Sequence, residues 1–222
     1  LQDQIIDEYE DATGIDAGAS TNETLSGGAY FGGATSNPTG ATSTDTSVAG
    51  YRIEVLSAAS GSLVIPSSGN VDILVVGGGG SGGANYGGGG GAGGLIYKAG
   101  HALTAQTYAW VTGAGGAGSD VLGNVGSDST WTDAGASVEF TAKGGGYGGY
   151  NNGQDGGAGG SGGGQSYSAS AAGADTQGGQ SGDSGTYGFG FDGGVGIGGP
   201  NYNTGGGGGA GSVGAAGDAN TS

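Results

Sequence analysis

The sequence contains no cysteine and no methionine, and only three of its 222 residues are Lys or Arg, against 19 Asp or Glu. Without cysteine, neither disulfides nor thiolate metal sites can stabilise the fold. The formal net charge of -16 repels phosphate backbones and anionic lipids over a Debye length of about 8–10 Å. These absences exclude a disulfide scaffold and disfavour nucleic acid as a partner, and the lack of methionine favours a processed chain or a fragment of a longer protein.

Large apolar residues are also scarce, with two Trp and four Phe and 33% hydrophobic residues overall. No run approaches the roughly 20 apolar residues of a membrane span, and no basic and then apolar signal segment is visible. The sequence therefore predicts no membrane insertion. A large side-chain core is not expected either.

What the chain has instead is glycine, at 64 positions, with runs at 77–83, 87–94 and 205–209. Each ordered glycine costs about 0.5–1 kcal/mol relative to alanine, so order is favoured only where the missing side chain lets backbones approach closely. A strict Gly-X-Y register is absent, which excludes collagen. The remaining candidate is polyglycine II, a left-handed extended helix of three residues per turn whose backbone groups bond to neighbouring helices.

Between residues 51 and 143 the pattern changes to a period of two. Six or seven short apolar segments alternate with polar residues and are separated by turn residues, as in 71–76, where Val71, Ile73 and Val75 are predicted to face one way. The predicted fold is all-β, with a small antiparallel sandwich or jelly-roll-like region plus packed polyglycine II helices. Glycine insertions interrupt this strand-rich domain, and residues 144–222 are predicted to form the main polyglycine II region.

Residues 1–24 are predicted to be a connector or oligomerisation segment, and residues 25–50 a linker. One helical stripe in the first segment predicts a short amphipathic helix. Because so short a helix is marginal alone, it must dock on something, including copies of itself. Its stripe, the candidate oligomerisation surface, consists of Leu1, Ile5, Ile6 and Tyr9.

No motif predicts catalysis, a cofactor or a metal site. Gly77, Gly79 and Gly82 match a dinucleotide-binding spacing, but no helix is predicted after them to present its amides to a pyrophosphate. His101 is the only histidine, has no partner signature and is expected at the surface or in a turn. The sequence therefore predicts a protein that is not an enzyme.

The order of strand, split glycine run and short strand in residues 71–100, followed by residues 103–118 and a glycine-rich tail, resembles the glycine-rich domain of tailed-bacteriophage fibres and tip adhesins. The segment DEYEDATGIDAGASTNET resembles connector segments in structural proteins of marine phages. The resemblance implies a sandwich of polyglycine II helices whose tip loops contact a bacterial receptor, on a virion.

Aromatic and amide residues of the glycine-rich region have two interpretations: they clamp glycine helices or fill a subunit interface, or they lie exposed on loops that bind a receptor. The candidate receptor contacts are Tyr147, Tyr150, Asn151, Asn152, Tyr187, Phe189, Phe191 and Tyr202. We expect a virion or fibre structural protein, a homo-oligomer such as a trimer or larger array, that attaches to a bacterial surface receptor or glycan. A purely structural subunit of an extracellular filament or capsid decoration, and a polysaccharide depolymerase, stay open as alternatives.

Overall fold

The computed structural model describes residues 38–48, 51–151, 153–167, 170–177, 188–199 and 202–218. The predicted N-terminal helix, with Leu1, Ile5, Ile6 and Tyr9, lies outside these residues. Within them the secondary structure is β-strand, and no α-helix is present. The predicted all-β class is confirmed.

The described strands form three antiparallel sheets with the orders β1-β2, β3-β6-β7-β8 and β4-β5-β9. The first strand lies within the segment predicted to be a linker. The strand bounds are β1 Ser43–Asp45, β2 Ile53–Val55, β3 Ser60–Ile65, β4 Gly69–Val76, β5 Leu95–Leu103, β6 Gln106–Val111, β7 Ser129–Thr132, β8 Val138–Ala142 and β9 Gly188–Phe189.

The two larger sheets face one another, with β4 against β7 and β8, and β5 against β8. The predicted alternation in β4 is confirmed, because Val71, Ile73 and Val75 pack against the core while the residues between them are exposed. Stacked rings of Tyr108 and Trp131, with centroids 4.9 Å apart, fill part of the interior. The buried core consists of Leu63, Ile65, Ile96, Leu103, Tyr108, Trp110, Trp131, Phe140 and Ala142.

The expectation that His101 lies at the surface or in a turn is wrong, because the residue lies in β5 and is only 4% exposed. Its Nε2 lies 3.3 Å from Oε2 of Glu139, and its ring meets Phe140 edge-on. The reason is a bulge: β5 has one more residue than β4 between their paired positions, and Gly100 takes a φ of +63°. The extra residue reverses the alternation and turns His101 inward.

The glycine-rich stretches form extended segments that continue from the strands. They are called PG1 to PG11 and cover residues 77–84, 87–94, 113–118, 121–128, 143–149, 154–160, 161–166, 170–176, 190–197, 203–209 and 212–218. PG1 to PG4 are the glycine insertions of the strand-rich domain, and they join PG5 to PG11 in one bundle.

Hydrogen bonds between these segments repeat every third residue. The N–H groups of Gly77, Gly80 and Gly83 donate to carbonyls of PG2 at 2.9, 2.8 and 3.0 Å. The following residues, Gly78 and Ser81, donate instead to PG4 at 3.0 and 2.9 Å. This is the repeat of a helix with three residues per turn, as predicted for polyglycine II.

PG7 is the centre of the bundle. Its backbone bonds to PG2, PG5, PG6, PG8, PG9 and PG10, and each of these segments bonds to the next around a closed ring. Every residue of 161–166 is buried. The few side chains there are satisfied internally, since Ser161 Oγ donates to Gly209 O and Ser166 Oγ donates to Gln154 O.

Close packing at this centre leaves no space for a side chain. A Cβ built on Gly163 would lie 1.8 Å from the carbonyl oxygen of Tyr147, and one on Gly162 would lie 1.8 Å from that of Gly173. These obstacles are backbone atoms that cannot turn aside as a side chain can. Glycine is therefore required by the approach of neighbouring carbonyls.

Polar side chains connect the bundle to the sandwich. Buried Gln177 accepts a hydrogen bond from Lys143 N–H at 2.7 Å. Asp128 accepts bonds from Lys143 Nζ at 2.8 Å and from Gly144 N–H at 2.9 Å. Burial raises the pKa of the Asp128 carboxyl, but these hydrogen bonds and the Lys143 charge outweigh it and hold the pKa below its ordinary value.

We predict that Gly163→Ala lowers the free energy of unfolding by about 3 kcal/mol or more, because the bundle must open to admit the methyl group. The matched control is Gly118→Ala, where a Cβ would meet nothing within 4 Å. Thermal unfolding followed by circular dichroism measures both. Equal stability of the two variants would contradict the close packing of PG7.

A second prediction concerns pH. Because the folded pKa of Asp128 is lowered, its contribution to stability is fully present above the unfolded value of about 3.9 and is lost as the pH falls through the folded pKa. The stability difference between wild type and Asp128→Asn should therefore shrink in acid. Denaturant unfolding from pH 7 to pH 2 measures it, with Asp120→Asn, an exposed turn residue, as the control. A difference that grows in acid would contradict the assignment.

Candidate functional site

The bundle extends from one end of the sandwich. PG1 begins directly after β4 and PG2 leads directly into β5, so the turn at Asn85 and Tyr86 lies at the remote end. Eight residues at about 3.1 Å each place that turn roughly 25 Å from the sheet. PG1, PG5, PG7 and PG9 run parallel to one another, because each is bonded in parallel to the one before it. The residues that follow these four segments therefore lie at the end of the bundle remote from the sandwich. We call Asn85, Tyr86, Tyr150, Asn151, Tyr167 and Tyr202 the distal tip.

Three tyrosines of the distal tip form one aromatic cluster. The ring of Tyr167 meets that of Tyr86 at a centroid distance of 5.7 Å and that of Tyr202 at 4.9 Å, with interplanar angles of 84° and 85°. Such edge-to-face pairs are favourable arrangements of aromatic rings. Tyr86 is 65% exposed and Tyr202 49% exposed, while Tyr167 between them is half-buried. The rings of Tyr86 and Tyr202 are therefore exposed to solvent, one on each side of the half-buried Tyr167 ring.

A triangle of backbone hydrogen bonds supports the cluster. Gly164 N–H donates to Gly89 O at 2.7 Å, Gly89 N–H to Gly205 O at 3.0 Å, and Gly205 N–H to Gln165 O at 2.9 Å. Each tyrosine is two or three residues away in sequence from a residue of this triangle, a separation of about one turn of the threefold helix. The Gln165 side chain also accepts from Gly196 N–H at 2.8 Å. Gly164, Gln165 and Gly205 are buried, so the rings are supported by the interior of the bundle.

The tip also concentrates unfavourable backbone conformations. Left-handed φ angles occur at Asn85 (55°), Tyr86 (57°), Asn151 (46°) and Tyr202 (49°). Asparagine tolerates this region, but for a bulky side chain such as tyrosine it is uncommon. Among the described non-glycine residues, the one other case is Ala136 in the β7–β8 turn. Because strain of this kind persists only where the surrounding structure enforces it, its clustering marks the tip as a functional candidate.

The charge of the tip is neutral to acidic. The three Lys and Arg residues of the chain are elsewhere: Arg52 pairs with Glu54 at 2.6 Å, Lys98 lies in β5, and Lys143 pairs with Asp128 at the junction. The single histidine is inside the sandwich. No cationic side chain is therefore available at the distal tip to bind an anion.

The structure brings together only part of the predicted receptor-contact set. Tyr150, Asn151 and Tyr202 lie at the distal tip. Tyr147 is half-buried and its ring covers PG6, since a Cβ on Gly157 would lie 2.3 Å from it.

Both phenylalanines of the predicted set are near the sandwich. Phe189, in β9, pairs with Leu95 of β5. Phe191 is the second residue of PG9, about 19 Å along that segment from Ile197. The remaining candidates, Asn152 and Tyr187, lie outside the described residues. Receptor contact itself stays a prediction for all of them.

Two members of the cluster, Tyr86 and Tyr167, are absent from the predicted set. A signal for them exists in the sequence, because each tip tyrosine stands beside or close to an amide residue where a glycine-rich run is interrupted: ANY at 84–86, YNNG at 150–153, QSY at 165–167 and NYN at 201–203. The interruption itself, more than the aromatic content of the tail, locates the tip.

Other kinds of site receive no support from the described residues. They contain no group of three or more His, Cys, Asp or Glu arranged to hold a metal ion. Nor does this part of the chain include a helix with the length and apolar character needed to cross a bilayer.

Comparison with known proteins identifies the family from most of the chain. The family described as glycine-rich domain matches residues 56–222, which include β3 to β9 and every PG segment. Searches of curated proteins and of solved structures find no match. The chain belongs to the glycine-rich domain family.

Proposed function

We propose that this protein is a structural component of a bacteriophage fibre or virion, and that it attaches the particle to a host cell surface through the distal tip. The observation that carries this proposal is the cluster of Tyr86, Tyr167 and Tyr202 at the end of the bundle. Its two outer members, Tyr86 and Tyr202, are exposed and have left-handed φ angles. The resemblance of residues 71–118 to fibre and tip-adhesin sequences supplies the biological setting.

The composition of the tip loops supports a binding role. Residues 84–86, 150–151, 165–167, 198–199 and 202–203 contain only Tyr, Asn, Gln, Ser, Gly and Ala. Tyrosine offers a large contact area with only two side-chain torsions to fix, and asparagine adds adaptable hydrogen bonding; binding loops of antibodies use the same residues. Such loops on a rigid scaffold can bind a ligand at low entropic cost.

The bundle behind the tip suits a mechanical role. Its segments are joined by backbone hydrogen bonds on several sides, and its central segment is closed by a ring of neighbours. Pulling on the tip therefore loads many hydrogen bonds along PG1, PG2 and PG7 at once. A module of this kind transmits force from a bound cell surface to the sandwich without bending at a flexible linker.

We predict that the double variant Tyr86→Asn, Tyr202→Asn loses attachment to bacteria. Asparagine tolerates the left-handed φ at both positions, so the loops keep their course while the outer rings are removed. Loss of two exposed aromatic contacts should weaken binding at least about tenfold. Fluorescently labelled full chain, incubated with a panel of bacterial species and counted by flow cytometry, measures the effect.

The matched control is Tyr51→Asn. Tyr51 is 48% exposed, close to the 49% of Tyr202, but lies beside β2 of the small two-stranded sheet, away from the distal tip. This variant should bind cells like the wild type. Attachment that is equal in the double variant and the wild type, or absent for the wild type across the panel, would contradict the proposal and favour a purely structural subunit.

A further inference from the structure

We infer that the ligand of the distal tip is an uncharged saccharide of the bacterial surface. This inference rests on the proposed attachment function and adds the chemistry of the receptor. It follows from the geometry of the three tyrosines, from the amides beside them and from the charge of the molecule.

The ring geometry suits a sugar. Tyr86 and Tyr202 each stand nearly perpendicular to Tyr167, at 84° and 85°, so the surface of the cluster is stepped and not flat. A pyranose has one face of C–H groups, which packs on an aromatic ring, and a rim of hydroxyl groups. The exposed rings of Tyr86 and Tyr202 offer places for the C–H face, and their phenol groups remain at the edge to bond hydroxyls.

Amide groups stand next to these rings. Asn85 precedes Tyr86 in the same turn, and Asn151 lies in the neighbouring loop, where Gly88 N–H and Gly149 O join the two segments at 2.8 Å. An amide both donates and accepts, as a sugar hydroxyl does, so the two can pair in either direction. Amides and phenols together supply the polar contacts that orient a ligand on an apolar surface.

Charge decides between neutral and acidic glycans. A phosphorylated, sulfated or uronic-acid polysaccharide approaching this tip meets a chain of net charge -16. Its three Lys and Arg residues lie beside β2, in β5 and at the junction of sandwich and bundle. No cation of the tip can offset the repulsion, so the like charge of the chain weakens the binding of an acidic glycan. A neutral saccharide has no such penalty.

The direct test uses an array of purified bacterial polysaccharides, half with neutral and half with acidic repeating units. The labelled full chain should bind neutral members, and its signal should change less than twofold between 50 and 500 mM NaCl, since no ion pair is screened. Tyr86→Asn, Tyr202→Asn should lower that signal about tenfold, and Tyr51→Asn should not. Binding to acidic members alone, or to none, overturns the inference.

A cell assay separates this inference from the proposed function. Bacteria that bind the chain are treated either with periodate, which cleaves the vicinal diols of surface sugars, or with proteinase K. We expect periodate to reduce binding at least tenfold and proteinase K to leave it within twofold. Loss with proteinase K alone identifies a protein receptor and overturns the saccharide inference while attachment stands. Equal binding by wild type and the double tyrosine variant instead overturns the attachment function.

Discussion

The fold depends on hydrogen bonds between bare peptide groups that approach one another too closely for any Cβ. At PG7 these bonds reach neighbours on all sides, and a methyl group on Gly162 or Gly163 would overlap a carbonyl oxygen. Each buried N–H or C=O without a partner would cost free energy, so the lattice must be nearly complete to be stable. Glycine content is therefore a steric requirement of the interior, whereas the valines of the segments are all exposed: Val121, Val125, Val195 and Val213.

The sandwich and the bundle depend on one another. PG1 to PG4 are hairpin insertions between paired strands, so the register of β4 with β5 and of β6 with β7 fixes where each glycine segment starts. The segments in turn close one end of the sandwich through Gln177 and Asp128. Side-chain packing provides alignment, and the backbone lattice extends that alignment roughly 25 Å to the distal tip.

The binding proposed for the distal tip depends on this rigidity. Turns between threefold helices force Asn85, Tyr86, Asn151 and Tyr202 into the left-handed region, at a cost of order 1–3 kcal/mol for each strained residue that the lattice beneath must offset. Because the lattice holds the tip in place, the rings of Tyr86, Tyr167 and Tyr202 already have a fixed arrangement without a ligand. A flexible glycine-rich loop with the same tyrosines would lose that advantage, because ordering it on binding costs entropy.

The sequence was sufficient to predict the all-β class, the facing of Val71, Ile73 and Val75, and the threefold helices, because each depends on a local period or on composition. It was insufficient to predict the arrangement of the bundle. Long-range packing decides which glycine-rich segments are neighbours, and runs of identical residues carry no pattern that identifies those neighbours. His101 was misplaced because a bulge at Gly100 reversed the alternation. Tyr167 was missed as a site residue because its ring partners, Tyr86 and Tyr202, are distant in the sequence and lie just before PG2 and PG10.

Amide hydrogen exchange, resolved by residue with NMR, tests the central claim most directly. If peptide groups of the glycine segments bond to one another in a closed lattice, the N–H groups of Gly162, Gly163 and Gly164 exchange among the slowest in the protein, as slowly as those of the sandwich core, while Gly118 and Gly211 at exposed positions exchange rapidly. Exchange of Gly162 to Gly164 at the rate of an unstructured glycine peptide would contradict the account.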